Sequence, residues 1–195
     1  MSKAMFNTPN LLCYFRIAII PFMIALYYWD SAFAAWTNVI LITLAGASDY
    51  FDGRIARATG QTTLLGKFLD SSTDKLVVTA ALVMLVEIGR IDGAWTILVV
   101  IILLREITIS GIREFLAMQN VIVPISMMGK WKLTVQMIAL GFLTAGEYGR
   151  VLVPHNPVIA KVLLLFAAII TVISGLDYLR EGIRTMQKLD SGEKL

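Results

Sequence analysis

Cysteine and histidine occur once each in 195 residues, as Cys13 and His155, and proline only five times. A single cysteine excludes an intrachain disulfide and a cysteine-based zinc site. His155, between Pro154 and Asn156, reads as a solvated loop histidine. With one thiol and one imidazole so placed, neither a Ser-His-Asp nor a Cys-His arrangement has support. No soluble domain, long linker, low-complexity tract or internal repeat is visible. The first apolar run, Leu11–Trp29, lacks a small-residue cleavage pattern and ends in Tyr27, Tyr28 and Trp29, so it is expected to stay in the mature chain rather than act as a signal peptide. Pro21 within it predicts a kink that neighbouring helices accommodate.

Apolar side chains dominate what is present. They make up 57% of the residues and the mean hydropathy is +0.75, above the soluble range. The expectation is an all-α integral membrane protein with six transmembrane helices, over Leu11–Trp29, Ala32–Ser48, Leu76–Glu87, Ala94–Leu104, Leu133–Gly146 and Val158–Gly175. The third and fourth runs fall short of the roughly 20 residues that a bilayer core of about 30 Å requires. Their polar extensions should therefore face protein or water. Residues 1–185 are expected to form one six-helix transmembrane domain, and 186–195 a polar cytoplasmic tail that frays.

Basic residues set the orientation. With six spans, one side of the membrane holds Arg90 and Arg150, with Lys161 just inside the sixth span, and the other side receives nearly all the remaining Lys and Arg. The positive-inside rule puts that second side, both termini included, in the cytoplasm. The net charge of +3 suits an anionic leaflet or anionic substrates. No nucleic-acid partner is expected.

Four aspartates beside these apolar runs are the chief functional signal, because acidic side chains near hydrocarbon are costly and mark functional sites by default. Asp49 and Asp52 are three apart and Asp70 and Asp74 four apart, so each pair shares a helix face. Two such pairs on neighbouring helices can converge into an all-oxygen nest suited to Mg²⁺ or Mn²⁺, and cations would relieve the mutual repulsion of four carboxylates. Gly53 and Gly66 allow close approach to backbone, and the Arg57 guanidinium can hold a phosphate bidentately. A nucleoside diphosphate at a membrane surface would need this combination. A single juxtamembrane Asp-Arg pair is more simply a salt bridge, but chance does not account for the whole pattern.

Asp49-x-x-Asp52-Gly53-x-x-Ala56-Arg57, eight residues, then Gly66-x-x-x-Asp70-x-x-x-Asp74 resembles the motif of the CDP-alcohol phosphotransferase family at every specified position. The resemblance implies that family's six-helix membrane fold, a homodimer, two divalent cations (Mg²⁺ or Mn²⁺), and displacement of CMP from a CDP-linked lipid by an alcohol. It further implies Asp49, Asp52 and Asp70 as metal ligands, with Asp74 both a ligand and the general base. CDP contacts carried over are Asn10, Gly53, Arg57, Thr63 and Gly66. Asn10-Leu11-Leu12-Cys13 corresponds to an Asn-x-x-Thr element of the family and departs from it at Cys13, where a thiol is a weaker hydrogen-bond partner than a hydroxyl.

A second group, Arg105, Arg113, Lys130 and Lys132, speaks to the acceptor. Arg105 directly follows a run of eight apolar residues, Ile97–Leu104, where a charge is expensive. Several cations suit a phosphorylated alcohol, whereas choline or ethanolamine would call for aromatic or acidic groups. The simpler reading of each cation is positive-inside anchoring with a salt bridge to Glu106 or Glu114. The stretches NTPNLLCYFRIAIIP, REITISGIREF and GKWKLTVQM resemble the bacterial, phosphatidylglycerophosphate-forming members of the family, which implies CDP-diacylglycerol and glycerol 3-phosphate as substrates in the cytoplasmic membrane. Those members have Lys-x-Lys-Thr, whereas Leu133 here separates Lys132 from Thr134. Inositol phosphate is the alternative acceptor. A divalent-cation transporter is the alternative of another class, but no acidic track continues through the other spans.

Overall fold

The computed structural model describes residues 8–59, 64–119, 121 and 127–191; within these, the side chains of 8–9, 49–59, 64–65, 67, 70–71, 74 and 127–130 lie outside the description. The described residues form six α-helices and one 3-10 turn, with no strand: α1 Thr8–Tyr27, α2 Ala32–Thr59, α3 Leu64–Glu87, α4 Trp95–Met118, α5 Met127–Ala145, the turn Gly146–Val151, and α6 Asn156–Asp190.

Each apolar run seeds one helix, and the polar residues around it decide how far the helix reaches. Three helices are long and apolar enough to cross a membrane, over Asn10–Tyr27, Trp95–Met118 and Asn156–Asp190, and Ala32–Ser48 is a shorter apolar stretch. This is a multi-pass membrane protein. The fourth run, expected to be short, continues through Arg105 to Met118 and qualifies. α3 does not, because Lys67, Asp70, Asp74 and Lys75 occupy its first half. α5 has 19 residues and carries Lys130 and Lys132 near its start. α6 runs on to Asp190, and Met186 and Leu189 pack against the cluster of Ile109, Leu116 and Tyr178.

The chain divides into two compact units, Met1–Asp92 with Met137–Lys161, and Gly93–Gln136 with Val162–Leu195. In the first, α1 packs against both α2 and α3. The buried stripe of α1 is Asn10, Cys13, Arg16, Ile19, Met23 and Tyr27, whereas Leu11, Phe15, Ile17 and Phe22 are exposed. The stripe keeps the three-to-four spacing of one helix face; it takes in the polar Asn10 and Arg16 along with Ile19 and Met23, while large apolar residues off the stripe point outward, as lipid solvent permits. Small residues, Ala34, Ala35 and Ala45, line the buried face of α2 and allow close helix approach; there Asn38 Nδ2 donates to the Met23 carbonyl at 3.2 Å.

In the second unit, α4 buries Ile102, Ile109 and Leu116 at intervals of seven, and α6 buries Leu164, Ala167, Thr171, Ser174 and Tyr178 at alternating intervals of three and four. That is the seam pattern of helices crossing at a shallow angle. Gly182 is one point of close approach, since a β-carbon there would lie 2.9 Å from Ile112 Cγ2.

Candidate functional site

Asp49, Asp52, Gly53 and Arg57 lie on the last turns of α2, and Gly66, Asp70 and Asp74 on the first turns of α3. The two acidic pairs are thus on consecutive helices that touch each other and share α1 as a packing partner. The side chains of the four aspartates and of Arg57 lie outside the described residues, as does Thr63 altogether. Asn10, in the first turns of α1, is buried.

Cys13 is buried on the same α1 face, and its Sγ accepts a hydrogen bond from Arg16 Nη2 at 3.6 Å. The thiol at position 13 is therefore engaged with a buried arginine. Sequence reading missed Arg16. The available signal was its spacing, three residues beyond Cys13 and six beyond Asn10 on one helix face.

In the second unit the structure brings two of the four proposed acceptor residues together. Glu106 Oε1 pairs with Lys132 Nζ of α5 and lies 3.5 Å from Arg105 Nη1, and all three side chains are nearly buried. Arg105 also donates from Nη2 to Ser174 Oγ of α6 at 3.1 Å. Ser174 donates to the Thr171 carbonyl at 3.2 Å, and Thr171 Oγ1 accepts from Gln136 Nε2 of α5 at 3.1 Å. Three helices are cross-linked by these polar groups, as the burial of hydrogen-bonding groups requires. Glu106, Gln136, Thr171 and Ser174 join this cluster of polar contacts, although the sequence singled out only Glu106, as a salt-bridge partner.

Arg113 makes no described hydrogen bond or ion pair to that cluster, although its charge acts on Arg105; its Cζ lies 5.6 Å from the centroid of the Tyr178 ring. The Lys130 side chain lies outside the described residues. A cluster of two cations around one carboxylate, with guanidinium N–H groups that have no partner among the described residues, is chemically suited to a phosphate dianion.

The three cations that charge asymmetry separated from the rest are each engaged. Arg90 donates from Nη1 to the carbonyls of Leu143, at 3.4 Å, and Thr144. Arg150 Nε lies 2.6 Å from Glu147 Oε2, and Lys161 Nζ lies 3.0 Å from Asp92 Oδ1. His155 is exposed, as expected, and its carbonyl accepts the amides of Val158 and Ile159 at the start of α6.

The family model for CDP-alcohol phosphatidyltransferases matches residues 6–173, and the chain belongs to that family. Among curated relatives it is similar to proteins named CDP-diacylglycerol–glycerol-3-phosphate 3-phosphatidyltransferase. The one from Rickettsia bellii is 38% identical over 174 residues, covering 89% of this chain and 94% of the relative. That from Haemophilus influenzae is 38% identical over 178 residues, covering 90% and 92%. That from Salmonella choleraesuis is 38% identical over 141 residues, covering 71% and 76%.

Proposed function

We propose that this protein transfers the phosphatidyl group of CDP-diacylglycerol to sn-glycerol 3-phosphate, giving phosphatidylglycerophosphate and CMP for phospholipid synthesis. The observation that carries the reading is the complete aspartate motif on α2 and α3 in a chain that also gathers Arg105 and Lys132 around Glu106. Relatives that share nine-tenths of its length and bear that activity in their names support it.

The donor set fits hard divalent cations, since four carboxylates and no thiol or imidazole occur in the motif. Asp49, Asp52, Asp70 and Asp74 would hold two such ions, Mg²⁺ or Mn²⁺. When bound, these supply charge neutralisation at the pyrophosphate. Asn10, Gly53, Arg57, Thr63 and Gly66 would orient the CDP portion. Arg105, Arg113, Lys130 and Lys132 would hold the acceptor's phosphate and so place its free hydroxyl for attack. Asp74 then takes the hydroxyl proton as a bond forms between that oxygen and the β-phosphorus. The bond from the β-phosphorus to the bridging oxygen breaks, and CMP leaves with that oxygen.

The basic side of the chain would face the cytoplasm, placing both termini and the acidic motif at the inner face of a bacterial cytoplasmic membrane. Residues 1–185 would form the catalytic domain, and two copies a homodimer.

The test is one assay on purified full-length protein with CDP-diacylglycerol, supplied in parallel with radiolabelled glycerol 3-phosphate and inositol phosphate. CMP release with label entering lipid from glycerol 3-phosphate supports the reading. Label entering from inositol phosphate instead reassigns the acceptor. Divalent-cation flux into vesicles without CMP release would make it a transporter.

A further inference from the structure

Arg105 is held more tightly than a membrane-anchoring cation needs to be. Its Nη1 faces Glu106 Oε1 at 3.5 Å, and its Nη2 donates to Ser174 Oγ at 3.1 Å. Its stem lies against Gly175, where a β-carbon would come within 2.8 Å of Arg105 Cγ and 3.0 Å of Nε. Arg105 Nε is buried without a hydrogen-bond partner among the described residues. A guanidinium has five N–H donors. With one engaged on each terminal nitrogen and Nε buried, the second N–H of each terminal nitrogen has no partner among the described residues, while the plane of the group is fixed.

The polarity of the Ser174 contact is also determined. Its hydroxyl hydrogen is directed to the Thr171 carbonyl at 3.2 Å, so its lone pairs are left for Arg105. Thr171 is held in turn by Gln136 at 3.1 Å, and Thr171 and Ser174 are both buried. A serine satisfied only by its own helix would need no arginine, and an arginine anchored only by charge would need no serine.

We propose that Ser174 is a positioning residue for Arg105, with Gly175 the gap that admits the arginine stem, so that α6 prepares the guanidinium to receive the acceptor's phosphate. The assignment rests on the reading of Arg105 as an acceptor-phosphate ligand. Pinning a flexible cation before binding removes an entropic cost from the binding step. The consequence is confined to acceptor affinity, because Ser174 touches Arg105 rather than substrate.

The experiment is steady-state kinetics of the full-length protein in mixed micelles, varying glycerol 3-phosphate and CDP-diacylglycerol separately, for Ser174→Ala, Ser174→Cys, Arg105→Lys and the double variant Arg105→Lys with Ser174→Ala. Ser174→Ala is expected to raise KM for glycerol 3-phosphate about tenfold, the scale of a hydrogen bond to a charged group. Both kcat and KM for CDP-diacylglycerol should stay within about twofold of the parent. Ser174→Cys keeps the volume with a weak acceptor, should behave likewise, and serves where the alanine variant does not fold. In the Arg105→Lys background Ser174→Ala should add less than about twofold. An unchanged acceptor KM in both serine variants, an equal factor in the lysine background, or an effect on CDP-diacylglycerol instead would overturn the proposal. Arg105→Lys separates the two levels. If it leaves the acceptor KM unchanged, the reading of Arg105 fails and the proposal with it; if it raises KM while the serine variants do not, the proposal alone fails.

Discussion

Lys132 on α5 and Glu106 on α4 form an ion pair in which the two side chains are 12% and 11% exposed. Removing one partner strands a charge in a poorly hydrated place. Glu106→Gln is therefore expected to destabilise the protein by about 3 kcal/mol, as read from thermal unfolding in detergent. Lys132→Met together with Glu106→Gln should recover part of that stability while acceptor binding stays impaired. A single Glu106→Gln variant as stable as the parent would contradict the pairing.

Asp74 has the clearest predicted effect on turnover. Asp74→Asn should fold and bind CDP-lipid but lose roughly 10²–10⁴-fold in kcat, the range for a missing general base. Chelation of divalent cations should abolish turnover in the parent, with recovery on adding Mg²⁺ or Mn²⁺. Full turnover in a folded Asp74→Asn protein would remove the assigned base.

Gly146 and Gly93 both have positive φ, 52° and 53°, but their surroundings differ. A β-carbon at Gly146 would meet Arg90 Cζ at 3.0 Å, whereas among the described residues nothing lies within 4 Å of one at Gly93. Gly93→Ala should cost only backbone strain, about 1 kcal/mol, and Gly146→Ala about 1–3 kcal/mol, with the added effect of displacing Arg90 from the last carbonyls of α5. Equal unfolding midpoints for the two variants would refute the close approach.

Asn156 joins the start of α6 to the end of α5. Its Nδ2 donates to the carbonyls of Phe142 at 3.0 Å and Gly146 at 2.7 Å, and the residue is buried. Asn156→Ala should cost about 1–3 kcal/mol by leaving buried carbonyls unpaired. Asn156→Asp should be worse, because a carboxylate would then face those carbonyls. Thermal unfolding of the three proteins side by side tests the order.

Stability should respond to pH at both extremes. The Asp92 carboxyl, in the turn between α3 and α4, is held below its ordinary value by its hydrogen bond to Lys161 and then by that residue's charge. Its contribution is complete above the unfolded carboxylate value of about 4, and it fades as pH falls through the lower folded value. The Tyr148 phenol is raised, first by its hydrogen bond to Asp30. Its contribution is complete below the unfolded phenol value of about 10, and it is lost as pH rises through the folded one. Asp92→Asn should thus shrink the acid limb of a melting-temperature profile, and Tyr148→Phe the alkaline limb. An acid limb identical in Asp92→Asn would argue against the Lys161 contact.

The chain's own order of residues determined the six helices, the membrane setting and the acidic motif. Apolar runs and three- or four-residue spacings are properties of neighbours along the chain, and solvent acts on them locally. Even the departure at Cys13 was visible there. Helix ends were less legible, because polar residues such as Arg105 and Glu106 extend α4 once their partners are present.

What only the tertiary structure decided is which polar groups meet. Arg105 finds Ser174 across 69 positions, Lys132 finds Glu106 across 26, and Arg90 finds Thr144 across 54. Those encounters depend on how far each helix is rotated about its axis and slid along it, which small residues such as Gly175 and Gly182 permit by letting α6 approach α4. Composition and periodicity carry no record of that rotation, so a cation expected to anchor or to bind substrate reveals its supporting partners only when the helices are packed.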